Sequence, residues 1–369
     1  MNKIIPFVDL KSQYINIKNE IDSAISTVIN EMSFIKGRHV KDFENNFRSK
    51  YGSKHCISVA NGTDALYITM KMLGIGIGDE VITTATSWIS SSETISQTGA
   101  KPVFVDIDNY YTIDTEKIEE KINSNTKAII PVHLYGQSCN MKNIMQIAKK
   151  NNLFIIEDCA QSHFSKYQSK NVGLFGIAST FSFYPGKNLG SYGDAGCILT
   201  NDDDLAEKFR MYANHGALIK HEHKMEGINS RMDGIQAAIL NVKLKYILNW
   251  NDRRIDIAKM YIDRLSDVES IELPKVRNNT KHTFHLFVIR VDERDNLMNF
   301  LKKNGISTAL HYPTALPFLQ AYNKQNNSVT DFKNAYKHQQ IILSLPMYPE
   351  LKNSDVDYVC SIIKRFYET

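Results

Sequence analysis

An α/β fold, with a mainly parallel sheet covered on both faces and a smaller C-terminal α+β domain, is predicted by three observations. Strand-like and helix-like segments alternate at a regular pitch across residues 55–213. One segment, Leu153-Phe-Ile-Ile156, is apolar throughout, as a central strand buried on both faces must be. From about Asn251 the composition turns charged and helical, which divides the chain into 1–250 and 251–369.

Residues 1–53 read as peripheral helices. Ile21, Ala24, Ile25, Val28 and Ile29 recur at helical spacing, and so do Val40, Phe43 and Phe47. A strand over His55–Ala60 leads through Asn61-Gly-Thr-Asp-Ala65 into a helix that buries Leu66, Met70 and Leu73. Such a junction is either an anion site or a plain N-cap. In the first case the free amides at Gly62 and the hydroxyl of Thr63 would meet negative charge. Glu80–Thr86 is a strand ending near Trp88, one of two tryptophans. Trp88 is either a core aromatic or a flat surface on which a ring can stack.

Val103–Ile107 and Ala128–Val132 read as further strands, and Asp114–Ile122 and Met141–Lys150 as helices. The apolar strand ends in Glu157-Asp158-Cys-Ala-Gln161. A carboxylate at the carboxyl end of a buried strand needs a partner, and ligands of parallel sheets bind outside those ends. Asp158 is therefore a pocket carboxylate, with Gln161 one turn on, or a helix N-cap. An alternating strand, Thr180–Tyr184, then runs into a Pro-Gly turn, Lys187 and the Gly-rich loop 190–196. Lys187 is either a solvated loop lysine or a desolvated amine whose lowered pKa frees it to attack a carbonyl.

A strand over Cys197–Thr200 and a helix over Asp203–Ala213 come next. The polar loop that follows carries His215, His221 and His223, which lack metal-ligand spacing, so no metal is expected. Arg231 opens a long helix running to about Trp250. Strands over Ile271–Pro274 and Thr283–Val291, a helix over Asp295–Asn304, and His311-Tyr-Pro313 at a strand end make up the C-terminal part. Lys364 and Arg365 suit the last turn of a final helix.

The chain's 369 residues, 43% of them hydrophobic, can bury a large core. A net charge of +4 with no basic run argues against nucleic-acid binding. Five scattered cysteines point to a reducing compartment. No apolar segment reaches about 18 residues, so neither a membrane span nor a signal peptide is expected, and a cytoplasmic protein is the default.

Taken in order, Asn61-Gly-Thr-Asp-Ala65, Glu157-Asp158-Cys-Ala-Gln161, Phe181-Ser-Phe-Tyr-Pro-Gly-Lys-Asn-Leu-Gly190 and Gly227-Ile-Asn-Ser-Arg-Met-Asp233 resemble the nucleotide-sugar aminotransferases of the DegT/StrS type. The resemblance runs from Pro6-Phe-Val-Asp-Leu10 to Ser344-Leu-Pro-Met-Tyr-Pro349. It implies a fold-type I aminotransferase that uses pyridoxal 5'-phosphate, with a mixed, mostly parallel sheet. It also implies a homodimer whose active sites are completed by the neighbouring subunit. Carried over by motif position, Lys187 would form the Schiff base with the cofactor and then move protons. Asp158 would keep the pyridine nitrogen protonated, Trp88 would stack on the ring, and Gln161 would reach its phenolic oxygen. Gly62, Thr63 and Ser182 would hold the phosphate, which Asn229 would reach from the partner subunit.

The residues around Lys187 are similar to those of members that aminate C3 of a keto-sugar, particularly dTDP-linked 3-keto-6-deoxyhexoses. C4 amination and a UDP-linked sugar are the alternatives. By the same resemblance Tyr184, Lys220, His311 and Tyr312 would contact sugar or pyrophosphate, and Arg231 the carboxylate of the donor, L-glutamate. Two features depart from the pattern. Trp88 stands where Phe or Tyr is usual, and His163-Phe164 puts a bulky ring beside the expected cofactor wall. Related dehydratases carry histidine at the lysine position, and Lys187 argues against that activity. A non-catalytic nucleotide-sugar-binding or regulatory protein on the same fold is the reading from another class.

Overall fold

Seven strands form the central sheet of the protein, described by a computed structural model over residues 3–368. They are β1 (His55–Val59), β2 (Glu80–Thr84), β3 (Lys101–Val105), β4 (Thr126–Ile130), β5 (Phe154–Asp158), β6 (Ala178–Ser182) and β7 (Gly196–Thr200). Their order is β1-β7-β6-β5-β4-β2-β3. β7 runs antiparallel to both of its neighbours, and every other pair is parallel. The sheet is therefore mixed and mostly parallel, as fold-type I requires.

β5 holds the middle position and shows why its sequence is apolar. Successive strand side chains point to opposite faces. Ile155 packs with Phe43, Phe47 and Phe181 on one face, and Ile156 with Leu66, Met70 and Val81 on the other. Helix Gly37–Tyr51 supplies Phe43 and Phe47, β6 supplies Phe181, and helix Gly62–Met72 covers the second face. The C-terminal part has a small antiparallel sheet in the order Ile271–Glu272, Phe287–Val291, Ile342–Leu345. Helices Ile247–Leu265, Arg294–Lys303 and Asn353–Glu368 accompany it, around Tyr261, Phe287, Leu343 and Val359. Ile5, from the other end of the chain, joins this core and bridges to Ile306.

Three segments differ from expectation. Asp114–Ile122 forms two 3-10 turns, Thr115–Lys117 and Glu119–Lys121, rather than a helix. Asp114 accepts from the amide of Glu116, and Ile118 is the one fully buried side chain in the run, so no apolar stripe sustains a longer helix. The helix expected from Arg231 begins at Gly234, where the amide donates to Phe34 O at 2.6 Å and a Cβ would lie 2.1 Å from Ser33 O. It ends at Leu244, and Ile247–Leu265 starts a new helix. Helix Ser90–Thr98 was not anticipated, because its serine run carries no apolar periodicity. Among the described residues no helix is long and apolar enough to cross a membrane.

Candidate active site

A cavity of about 750 Å³ opens at the carboxyl ends of the parallel strands. Asp158 is the last residue of β5 and Ser182 the last of β6. Gly62 follows β1 and Trp88 follows β2. All four line the cavity together with Lys187.

Lys187 is held by its backbone. Its amide donates to Tyr184 O at 2.8 Å, and Ser191 closes the turn onto Phe183 O at 2.8 Å. The closure leaves no room at Gly190, where a Cβ would lie 2.3 Å from Pro185 O. The Nζ of Lys187 makes no hydrogen bond among the described residues. Burial lowers its pKa to about 8, against the opposing pull of the Asp158 carboxylate. The solvated-loop alternative is thereby set aside.

Asp158 is 5% exposed. Its Oδ2 accepts from Ser91 Oγ at 2.9 Å and its Oδ1 from the amide of Ala160 at 3.1 Å. Burial pushes its pKa up; the two hydrogen bonds and the Lys187 charge pull it back toward the ionised form. It opens no helix, so the N-cap alternative does not hold.

Helix Gly62–Met72 starts at the cavity. Asn61 caps it by accepting from the amide of Asp64 at 2.8 Å, and the amides of Gly62 and Thr63 have no partner among the described residues. Glycine is required at position 62 because a Cβ would approach Ser182 Cβ to 2.7 Å. Thr63 Oγ1 pairs with Ser90 Oγ at 2.8 Å, and Ser182 Oγ accepts from the amide of Tyr184 at 3.3 Å.

Gln161 is fixed at both ends of its amide: Oε1 accepts from the Tyr135 amide at 2.8 Å, and Nε2 donates to the Tyr312 hydroxyl at 2.9 Å. Trp88 is 58% exposed, so it is not a core aromatic; its ring lies 5.9 Å from that of Tyr312. Tyr184 stands exposed at the rim. His311 stacks on Phe7 and its Nδ1 meets Ser344 Oγ at 2.9 Å, while burial lowers its pKa to about 4.

Three expected residues lie outside this cavity. Asn229 is exposed and bridges to Asn214, and Lys220 is exposed on the same loop. Arg231 lines a separate cleft of about 300 Å³ with Lys36 and Arg210, and donates to Asn214 Oδ1 at 3.4 Å. Phe164 corrects the sequence reading. At φ 60° its ring turns into the core against Tyr51 (4.8 Å) and Phe47 (6.0 Å), and it does not line the cavity.

Ser91, Phe7, Val8 and His285 line the cavity without having been anticipated. Ser91 sits in the serine run after Trp88, and Phe7 and Val8 in the Pro6–Leu10 stretch, so three of the four carried a signal. His133, Glu157 and Cys159 gather their ligand-type atoms within 4.8 Å of one another. Hydrogen bonds already use this cluster. Glu157 accepts from the amides of Gly173, Phe175 and Gly176, and His133 Nδ1 accepts from the Cys139 amide. His133 therefore carries its proton on Nε2, facing Glu157 at 3.0 Å.

The profile of the DegT/DnrJ/EryC1/StrS aminotransferase family matches residues 15–364. The chain is 44% identical to the dTDP-3-amino-3,6-dideoxy-alpha-D-galactopyranose transaminase of Aneurinibacillus thermoaerophilus, over 98% of this chain and 99% of that protein. It is 42% identical to a pleiotropic regulatory protein of Geobacillus stearothermophilus, over 98% of each. The crystal structure of S. venezuelae DesV in complex with a ketimine intermediate superposes with a TM-score of 0.97 at 36% identity, covering 99% of both chains. A cavity that unites a lysine, a buried carboxylate and an open helix start is thus found on a chain that matches this family almost from end to end. The chain belongs to the DegT/DnrJ/EryC1/StrS aminotransferase family, whose members use pyridoxal phosphate.

Proposed function

We propose that this aminotransferase carries an amino group from L-glutamate to a nucleotide-linked keto-sugar, at C3 of a dTDP-3-keto-6-deoxyhexose. The observation that carries the catalytic part is the convergence in one cavity of the buried Asp158 carboxylate with Lys187 Nζ and the amides of Gly62 and Thr63, none of which has a hydrogen-bond partner among the described residues. The similarity to the Aneurinibacillus sugar transaminase supports the substrate.

The residues present fit pyridoxal phosphate. Two amides at a helix start, unpaired among the described residues, suit its phosphate, with Ser182 beside them, and a Cβ at position 62 would fill that cradle. Asp158 suits the protonated ring nitrogen, Trp88 one ring face, and Gln161 the phenolic oxygen. When bound, the cofactor supplies an aldehyde and an electron-withdrawing ring. Lys187 Nζ, its pKa lowered by burial, takes a proton from the donor carbon in the first half-reaction and returns one to the sugar carbon in the second. Burial pushes the Asp158 carboxyl up, and the hydrogen bonds from Ser91 and the Ala160 amide oppose that push, so that a cation opposite it would be favoured.

Tyr184, His311 and Tyr312 are assigned to the sugar or its pyrophosphate, and Arg231, which lines the separate cleft of its own chain, to the donor carboxylate in the cavity of a second copy. Asn229 and Lys220 act in the cavity of a second copy, the first on the cofactor phosphate and the second on the sugar's diphosphate. Their exposure beside the exposed apolar side chains of Leu218 and Ile219 supports this reading. Residues 1–250 form the cofactor-binding domain and 251–369 the smaller C-terminal domain.

A regulatory, non-catalytic role is favoured by one observation, the name of the Geobacillus relative. An absorbance scan separates the two readings. Protein supplied with pyridoxal phosphate shows a visible band that excess L-glutamate bleaches; a regulatory protein shows no band, or one that glutamate leaves unchanged. A panel of 3-keto and 4-keto dTDP- and UDP-sugars then yields product aminated at C3 of the dTDP-sugar, as located by NMR. Amination confined to C4, or to UDP-sugars, overturns the substrate assignment.

A further inference from the structure

Two asparagine side chains determine the state of a further ring on the cavity wall. Asn188 directly follows Lys187 and is buried. Its Nδ2 donates to the Thr283 carbonyl at 3.2 Å and to Asn251 Oδ1 at 2.8 Å. A carbonyl only accepts, so the nitrogen of the Asn188 amide faces Thr283 and its oxygen faces the other way. Asn251 is oriented by the same logic, since its Nδ2 donates to the His163 carbonyl at 2.9 Å. Asn188 Oδ1 lies 3.1 Å from Nδ1 of His285. An amide oxygen requires a donor at that contact, so His285 carries its proton on Nδ1 and leaves a lone pair on Nε2.

His285 is partly buried and lines the same cavity as Lys187, and its Nε2 makes no hydrogen bond among the described residues. Burial and the charges of Lys187 and Arg254 hold its pKa well below the ordinary range, which keeps the ring neutral. Its backbone is pinned as well. Arg254 Nη1 donates to the carbonyls of Phe284 and His285 at 3.3 Å each and to that of Met347 at 2.9 Å. Gly136, at φ +98°, lets this segment press in, for a Cβ there would meet the Phe284 amide at 2.9 Å.

We propose that Nε2 of His285 accepts a hydrogen bond from a ring hydroxyl next to the reacting carbon of the sugar, and thereby selects among sugar substrates. This rests on the keto-sugar reading above. A lone pair on a rigid, neutral ring recognises a donor and offers nothing to a carboxylate, which only accepts. The residue therefore has no partner in the carboxylates of the amino donor, whose ammonium is the group that reacts, and finds one in a sugar hydroxyl. A sugar without that hydroxyl leaves the acceptor unpaired, and a site built around a hydrogen bond discriminates strongly against such an analogue.

The test uses His285→Asn, whose amide nitrogen can still donate to Asn188 while the lone pair facing the cavity is lost. With the loaded enzyme, the two half-reactions are followed separately. The substitution slows the sugar half-reaction relative to the glutamate half-reaction by about 10- to 100-fold. That differential vanishes with a sugar analogue carrying hydrogen in place of the hydroxyl. Equal loss in both half-reactions, or the same differential with the deoxy analogue, overturns the proposal. Nitrogen NMR of isotope-labelled histidine in the cofactor-free protein gives a second readout. The proton sits on Nδ1 and the ring stays neutral at about pH 6, where an ordinary histidine is largely charged. A charged ring, or a proton on Nε2, overturns it. If the unaltered protein aminates no keto-sugar at all, the functional reading falls first, and this assignment with it, before any variant is made.

Discussion

A free lysine amine, with a pKa of about 10.4, is almost wholly protonated at neutral pH. Burial brings Lys187 to about 8, so roughly a tenth of it is the free amine at pH 7. Labelling of Lys187 by an amine-reactive probe in the cofactor-free protein is therefore expected to rise through an inflection near that value. An inflection near that of surface lysines would contradict the desolvation argument. Asp158 has the opposite problem, since burial favours its neutral form. Ser91 offsets this by donating to Oδ2, so Ser91→Ala pushes the carboxyl pKa further up. The acid limb of the pH–rate profile then moves to higher pH, and the rate falls about ten-fold. An unchanged limb would show that Ser91 does not tune the carboxylate. The residues that the sequence made legible are those tied to strand ends. Asp158 ends a strand and Gly62 and Lys187 follow one closely, so one reading of the sheet aligns them. Ser91 and His285 reach Asp158 and Asn188 across 67 and 97 residues, and no local pattern announces such contacts.

At the level of elements, the alternation that predicted a parallel sheet reports burial on two faces, and β5 carries it plainly. The reversal of β7 is invisible in that pattern, because an apolar strand reads the same in either direction. Asp114–Ile122 misled because charged residues at helical spacing do not make a helix without a stripe to bury. One helix has a specific role under the lysine loop. Lys243, fully buried in helix Gly234–Leu244, donates to Gly190 O at 2.7 Å and lies 4.2 Å from the Tyr192 ring centroid. Burial lowers its pKa to about 7. The unfolded chain holds that proton up to about pH 10.4, so between these values the unfolded state binds more protons and stability rises with pH. Lys243→Met removes this increment. Urea midpoints of the two proteins, compared from pH 6 to about pH 10, should diverge in favour of the parent as pH rises. Parallel curves would show that Lys243 titrates normally.

For the whole molecule, the proposed sharing of sites between two copies has a direct consequence. Neither Lys187→Ala nor Asn229→Ala alone should be active, yet subunits of the two, mixed and exchanged, should recover activity. Random pairing makes half of the dimers mixed, and each mixed dimer holds one intact site, so about a quarter of the parental rate is expected. No recovery would show that Asn229 does not complete the cavity of a partner subunit. The sequence motif around Asn229 pointed to a partner subunit only through family resemblance, since nothing in the composition of an exposed loop names the surface that it meets. Light scattering gives the companion measurement, and a monomer would remove the basis of the exchange experiment.

The central claim is that Lys187 is the residue to which the cofactor is attached and from which L-glutamate releases it. Borohydride reduction of protein loaded with pyridoxal phosphate, followed by peptide mass spectrometry, tests it directly. The cofactor mass is expected on the peptide containing Lys187, and it should be absent when L-glutamate is added before the reductant. Cofactor on another lysine, or a label on Lys187 that glutamate does not remove, would contradict the account.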